Sequence, residues 1–77
     1  MITICLDRAL LFFTRQQQSC FEVEMDEPAH LKDILFRLGI PPGEVHMVVI
    51  NGEAVESTDV WVTSKDKVKL FPPFGGG

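Results

Sequence analysis

Ile2, Ile4 and Leu6 alternate with Thr3 and Cys5 at the start of the chain. A period of two with β-branched residues predicts a half-buried strand. The same period returns over residues 20–25, where Phe21, Val23 and Met25 alternate with Glu22 and Glu24. Between these runs lies "DRALLFFTRQQQS", which has no Gly or Pro to mark a tight turn. Its polar end predicts a loose connection. Two alternating strands joined locally predict an antiparallel hairpin, with one face buried and one wet.

The period then changes. Leu31, Ile34, Leu35 and Leu38 fall at i, i+3, i+4 and i+7, the stripe of one short amphipathic helix. Pro28 suits the approach to its start, and Gly39 suits a left-handed residue just past its end. Pro41 and Pro42 forbid continuation. His30 stands at the N-cap position, where it is a mediocre choice, and reads as a structural residue rather than a ligand. "VHMVVI" predicts another strand, and Asn51-Gly52 is a strong hairpin signal because both central residues of a type I′ turn need positive φ. "EAV" returns as a short strand, "VWV" is a short apolar segment, and "VKLF" is the last strand after the polar turn "SKDK". One helix cannot cover both faces of such a sheet. The pattern predicts an α+β roll with the first and last strands near its centre.

Bulk properties narrow the function classes. The chain has 77 residues, 45% hydrophobic and 23% charged, so it is expected to form one thin-cored domain with little room for an enclosed active site. A formal net charge of −4 and seven scattered basic residues argue against nucleic acid. "ALLFF" is too short to span a membrane, and Asp7 and Arg8 before it do not suit a signal sequence. Cys5 and Cys20 are the only cysteines, and neither belongs to a CxxC pair. They are expected to be buried free thiols in a reducing, cytoplasmic compartment. The apolar run Leu10, Leu11, Phe12 and Phe13 is expected to complete the core, and Trp61 to cover the core edge beside the helix.

A nucleophile with a base and an orienting carboxylate is not legible in the spacing. No glycine-rich loop opens a helix, and a zinc site lacks ligands. The chemistry therefore falls on the end, "VKLFPPFGGG". Three glycines make the slimmest possible thread, able to enter a narrow channel of another protein. Pro72 and Pro73 stiffen its departure from the domain, and Phe74 supplies one apolar anchor. The α-carboxylate of Gly77 carries no hindering side chain, but a free carboxylate is a poor electrophile and must be activated first. The chain divides accordingly into a domain over residues 1–71 and a flexible tail over residues 72–77.

The stretch "NGEAV…V..SKDKVKLFPPFGGG", with "LKDILFRLGIPP" upstream, resembles the β-grasp sulphur carriers: the small subunit of molybdopterin synthase and the thiamine-biosynthesis sulphur carrier, relatives of ubiquitin. The resemblance implies a β-grasp roll, a mixed sheet of four to five strands with one helix across one face. It implies that an E1-like enzyme adenylates the Gly77 carboxylate with ATP that the partner uses. The resulting thiocarboxylate then donates sulphur inside a larger catalytic subunit or synthase. Gly75 and Gly76 would form the thread, with Pro72, Pro73 and Phe74 as the docking segment. The protein is not expected to be an enzyme alone, nor to bind a cofactor or metal itself. The alternative is a ubiquitin-like modifier or a non-catalytic interaction module. One departure stands out: the family usually has Gly-Asp in the turn before the last strand, and here Lys65 precedes Asp66.

Overall fold

The computed structural model describes residues 1–73. Strands β1 (Ile2–Leu6) and β2 (Cys20–Val23) pair antiparallel with Ile4 opposite Phe21, as the alternation predicts. β3 (Ala29–His30) precedes the helix, and β4 (Met47–Ile50) turns through Asn51-Gly52 into β5 (Glu53–Val55). Asn51 and Gly52 have φ of 54° and 85°, the paired positive values that a type I′ turn needs. β6 (Trp61–Val62) and β7 (Lys67–Phe71) complete the set. Five strands form one sheet in the order β2-β1-β7-β4-β5, and β3 pairs with β6 in a separate two-stranded ribbon. β7 lies at the centre, parallel to β1 and antiparallel to β4.

The helix spanning Leu31–Leu38 crosses one face of this sheet; the short turn before it in sequence makes it α2. Its Leu31, Ile34 and Leu35 meet Ile2, Ile4, Val48, Val68 and Leu70 in one core, all at 2% exposure or less. Eight residues form a marginal helix in isolation. Burying three such side chains, at about 1.5–3 kcal/mol each, holds it in place. Its start lacks a side-chain cap at His30. Instead the Leu31 N–H donates to the Val60 carbonyl (2.9 Å), so a chain segment distant in sequence satisfies one of the first-turn N–H groups that have no partner within the helix. Its end follows the sequence closely. Gly39 is left-handed at φ 82°, and the Ile40 N–H reaches back to the Leu35 carbonyl (2.9 Å) while the Ile40 side chain is buried.

Several expectations are corrected. Pro28 lies ahead of the helix as expected, but the two-residue strand β3 separates them, and Pro28 follows a cis peptide bond from Glu27. The connection after β1 is not loose throughout, because Asp7 caps a four-residue helix α1 (Arg8–Leu11) by accepting from the Ala9 N–H. The apolar run is split by that turn. Leu10 is buried at 1% exposure and Leu11 and Phe13 pack against the core, but Phe12 is 86% exposed. One helical turn cannot aim four consecutive side chains inward. Trp61 is 64% exposed and lies edge-to-face on the His30 ring instead of covering the core. The two-residue β6 alternates, and Val62 takes its inward position.

The cysteines are the largest correction. Cys5 and Cys20 are not free; they form a disulfide. Each lies in one strand of the same hairpin, directly opposite the other. The Leu6 N–H donates to the Ser19 carbonyl, so the neighbouring pair is hydrogen-bonded and the cysteine pair is the narrow one between bonded pairs. A Cα separation of 4.0 Å brings their side chains together on the sheet face away from α2. Only Cys5 is buried, at 6% exposure; Cys20 is exposed on the edge strand.

Candidate functional site: the tail exit and the open sheet face

β7 leads out of the domain from the centre of the sheet. Val68 and Leu70 point into the core, so Lys67, Lys69 and Phe71 stand on the opposite face. The strand is held to its last residue: the His46 N–H donates to the Phe71 carbonyl (2.8 Å), and Met47 is opposite Phe71. Pro72 then has no N–H to continue the ladder. Pro72 is half-buried and Pro73 exposed, so the first sequence-predicted docking residues sit at the point where β7 ends. Phe74, Gly75, Gly76 and Gly77 lie outside the described residues.

The face that α2 leaves uncovered surrounds this exit. Register places Cys20, Cys5, Lys69, Val49 and Ala54 in one row across all five strands. Thr3 and Lys67 stand side by side in the next row, with Glu22 at the edge. Met47, Val49 and Phe71 are half-buried and apolar, and the exposed Lys67 and Lys69 flank them. A patch of this composition offers apolar contact within a cationic rim, although the chain as a whole is acidic.

The start of β7 is fixed by a polar lock at the opposite end. The Asp66 carboxylate accepts from the Thr63 N–H (2.9 Å) and from Asn51 Nδ2 (2.8 Å). Asn51 Oδ1 accepts from the Lys67 N–H (3.0 Å), and the Asn51 N–H donates to the Lys67 carbonyl (3.0 Å). The Thr63 N–H, followed by the Asn51 amide, holds the Asp66 carboxyl below its ordinary value of 3.8. The Asp66 N–H also donates to the Thr63 carbonyl (3.0 Å), closing a four-residue turn. Asn51 is the one positive-φ non-glycine among the described residues, so Lys65 occupies a conformation open to any side chain. The missing glycine at that position therefore costs the turn nothing.

His30 stays structural in its contacts. Its Nε2 lies 2.7 Å from Asp59 Oδ1, and its ring packs against Trp61. His46 is far along the chain just before β4, where its N–H donates to the last carbonyl of β7. Sequence reasoning did not find the Cys5–Cys20 pair or the Asn51–Asp66 lock. The first had a signal, since the alternation already puts both cysteines on the same face of one hairpin. The second had Asn51 in view, but only for its backbone.

A central β7 parallel to β1, hairpins on both sides and a single long helix across one face define a β-grasp domain. A model of the ThiS family matches residues 10–77, and the chain belongs to this family of β-grasp sulphur carriers. No curated protein and no solved structure matches the chain. Sulphur carriage in cofactor biosynthesis by a terminal thiocarboxylate is the family's function, and membership implies an E1-like activating partner. No helix among the described residues is long and apolar enough to cross a membrane.

Proposed function

We propose that the α-carboxylate of Gly77 is the sulphur-carrying group. An E1-like partner adenylates it with ATP, releasing pyrophosphate and making the acyl carbon electrophilic; a sulphide-level sulphur nucleophile then forms the C–S bond as AMP leaves, giving a thiocarboxylate. Gly75 and Gly76 form the thread that enters the active sites of the partners, and Pro72, Pro73 and Phe74 dock it. A larger synthase subunit accepts the loaded tail and takes the sulphur for a cofactor precursor. The body presents the thread from the open face, with Lys69, Val49, Met47 and Phe71 meeting the partner. The carrier works in the cytoplasm and has no catalytic activity alone. The observation that carries this reading is the family match, which runs to residue 77 and so includes the tail. The firm anchoring of β7 up to Phe71 supports it, because a thread is useful only when its base is fixed.

The test is mass spectrometry of the C-terminal tryptic fragment of protein isolated from its native cell. Cleavage after Lys69 releases "LFPPFGGG", which has no Met or Cys whose oxidation could mimic the exchange of oxygen for sulphur. A fraction carrying that exchange at Gly77 is the expected result. The same fragment joined to a lysine-containing peptide would instead make the protein a modifier.

A further inference from the structure

We propose that the Cys5–Cys20 disulfide is a thiol-exchange site, opened by an anionic low-molecular-weight thiol that attacks Cys20. This does not rest on the sulphur-carrier reading. Three features support it. The two cysteines differ in exposure, since Cys20 is exposed on the edge strand and Cys5 is buried at 6% exposure. The pair borders an open groove of about 350 Å³ where β1 and β7 end, at the low end of the size of small-molecule sites. That groove is also lined by Arg8, Lys69, Asp7 and Phe71. Asp7 already accepts from the Ala9 N–H as the cap of α1, whereas the register puts Lys69 beside Cys5 on the neighbouring strand.

The exchange follows from this arrangement. The incoming thiolate forms a bond to Cys20 Sγ, the bond between the two cysteines breaks, and its electron pair leaves on Cys5 Sγ. One disulfide is replaced by another and one thiolate by another, so no oxidant or reductant is needed. Exchange requires access to the attacked sulphur, and of the two cysteines Cys20 is the exposed one; it is faster when the leaving thiolate is stabilised by a nearby cation. Lys69 is placed to do that for Cys5. Arg8 and Lys69 together favour an anionic thiol such as glutathione over a neutral one. The product carries the thiol on the rim of the open face and frees β2 from its covalent tie to β1.

The experiment uses the oxidised full-length chain and reduced glutathione, with acid quenching, alkylation and tryptic digestion. Trypsin cuts after Arg8, Arg15 and Lys32, so Cys5 leaves on residues 1–8 and Cys20 on residues 16–32. Early time points should show glutathione on the Cys20 peptide and the alkyl group on Cys5. Lys69→Gln should slow the adduct about two- to fivefold, the range of an exposed charge contact. The rate should stay flat across urea concentrations too low to unfold the domain. Glutathione on the Cys5 peptide in equal or greater amount overturns the proposal. So does a bond that resists glutathione, a rate that climbs with sub-denaturing urea, or an unchanged rate in Lys69→Gln. Alkylation of both cysteines before any thiol is added also overturns it, because the disulfide would then be absent.

Discussion

The turn before β7 has Lys65 where the family favours glycine, and its backbone has no positive φ there. The Asp66 carboxylate closes this turn through Thr63 and ties it to Asn51. These bonds lower the Asp66 pKa from 3.8, with the Thr63 N–H as the first cause. A carboxyl whose folded-state pKa is depressed contributes stability above its unfolded value and loses it as pH falls through the folded value. Asp66→Ala should therefore cost about 1.5–3 kcal/mol at neutral pH, the range for hydrogen bonds to a charged acceptor. The gap from the wild type should close in acid, below the usual carboxylate range. Urea unfolding midpoints of both proteins at neutral and acid pH check this. A gap independent of pH would mean that the carboxylate's charge contributes nothing to the turn.

At the scale of elements, α2 was legible from the sequence because its stripe and its stop signal agree: three of four anchors are fully buried, and Gly39 is left-handed. Gly39→Ala should cost about 1–2 kcal/mol for the left-handed backbone alone. The added Cβ would also meet the Phe13 carbonyl oxygen at 3.1 Å, so the cost should reach or exceed the upper end of that range. Thermal unfolding of the variant measures it, and a neutral result would refute the tightness of that contact. The same contact explains why the segment after β1 was harder to read. Its four-residue helix is too short to show a period, and the segment is shaped by where it lands, with Phe13 against the end of α2. Trp61 and Phe12 were misjudged for a related reason. In a two-residue strand and in a single helical turn, size does not decide which neighbour points inward. The disulfide required pairing register in addition to alternation, and register depends on the length of the connection between the strands.

For the molecule as a whole, the sheet separates support from contact. α2 and the core lie on one side; on the other, a row from Cys20 to Ala54 crosses every strand of the five-stranded sheet, and β7 ends at its centre with Phe71. Large exposed aromatics also occur off the sheet, with Phe36 at 87% exposure on α2, so the two sides compete as docking surfaces. The position of β7 favours the open face, since a partner that takes the tail into its active site must come within a few residues of Phe71. Val49 tests this because it is half-buried, points away from the core and lies between Lys69 and Ala54. Val49→Arg should leave thermal unfolding nearly unchanged. It should raise the KM of the carrier in adenylation by its E1-like partner about tenfold, as loss of a central contact does, with kcat little altered. Phe36→Ala should change neither constant. The reverse pattern, with Phe36→Ala impaired and Val49→Arg normal, would put the partner on the helix side and would require the tail to pass around the edge of the domain to reach it.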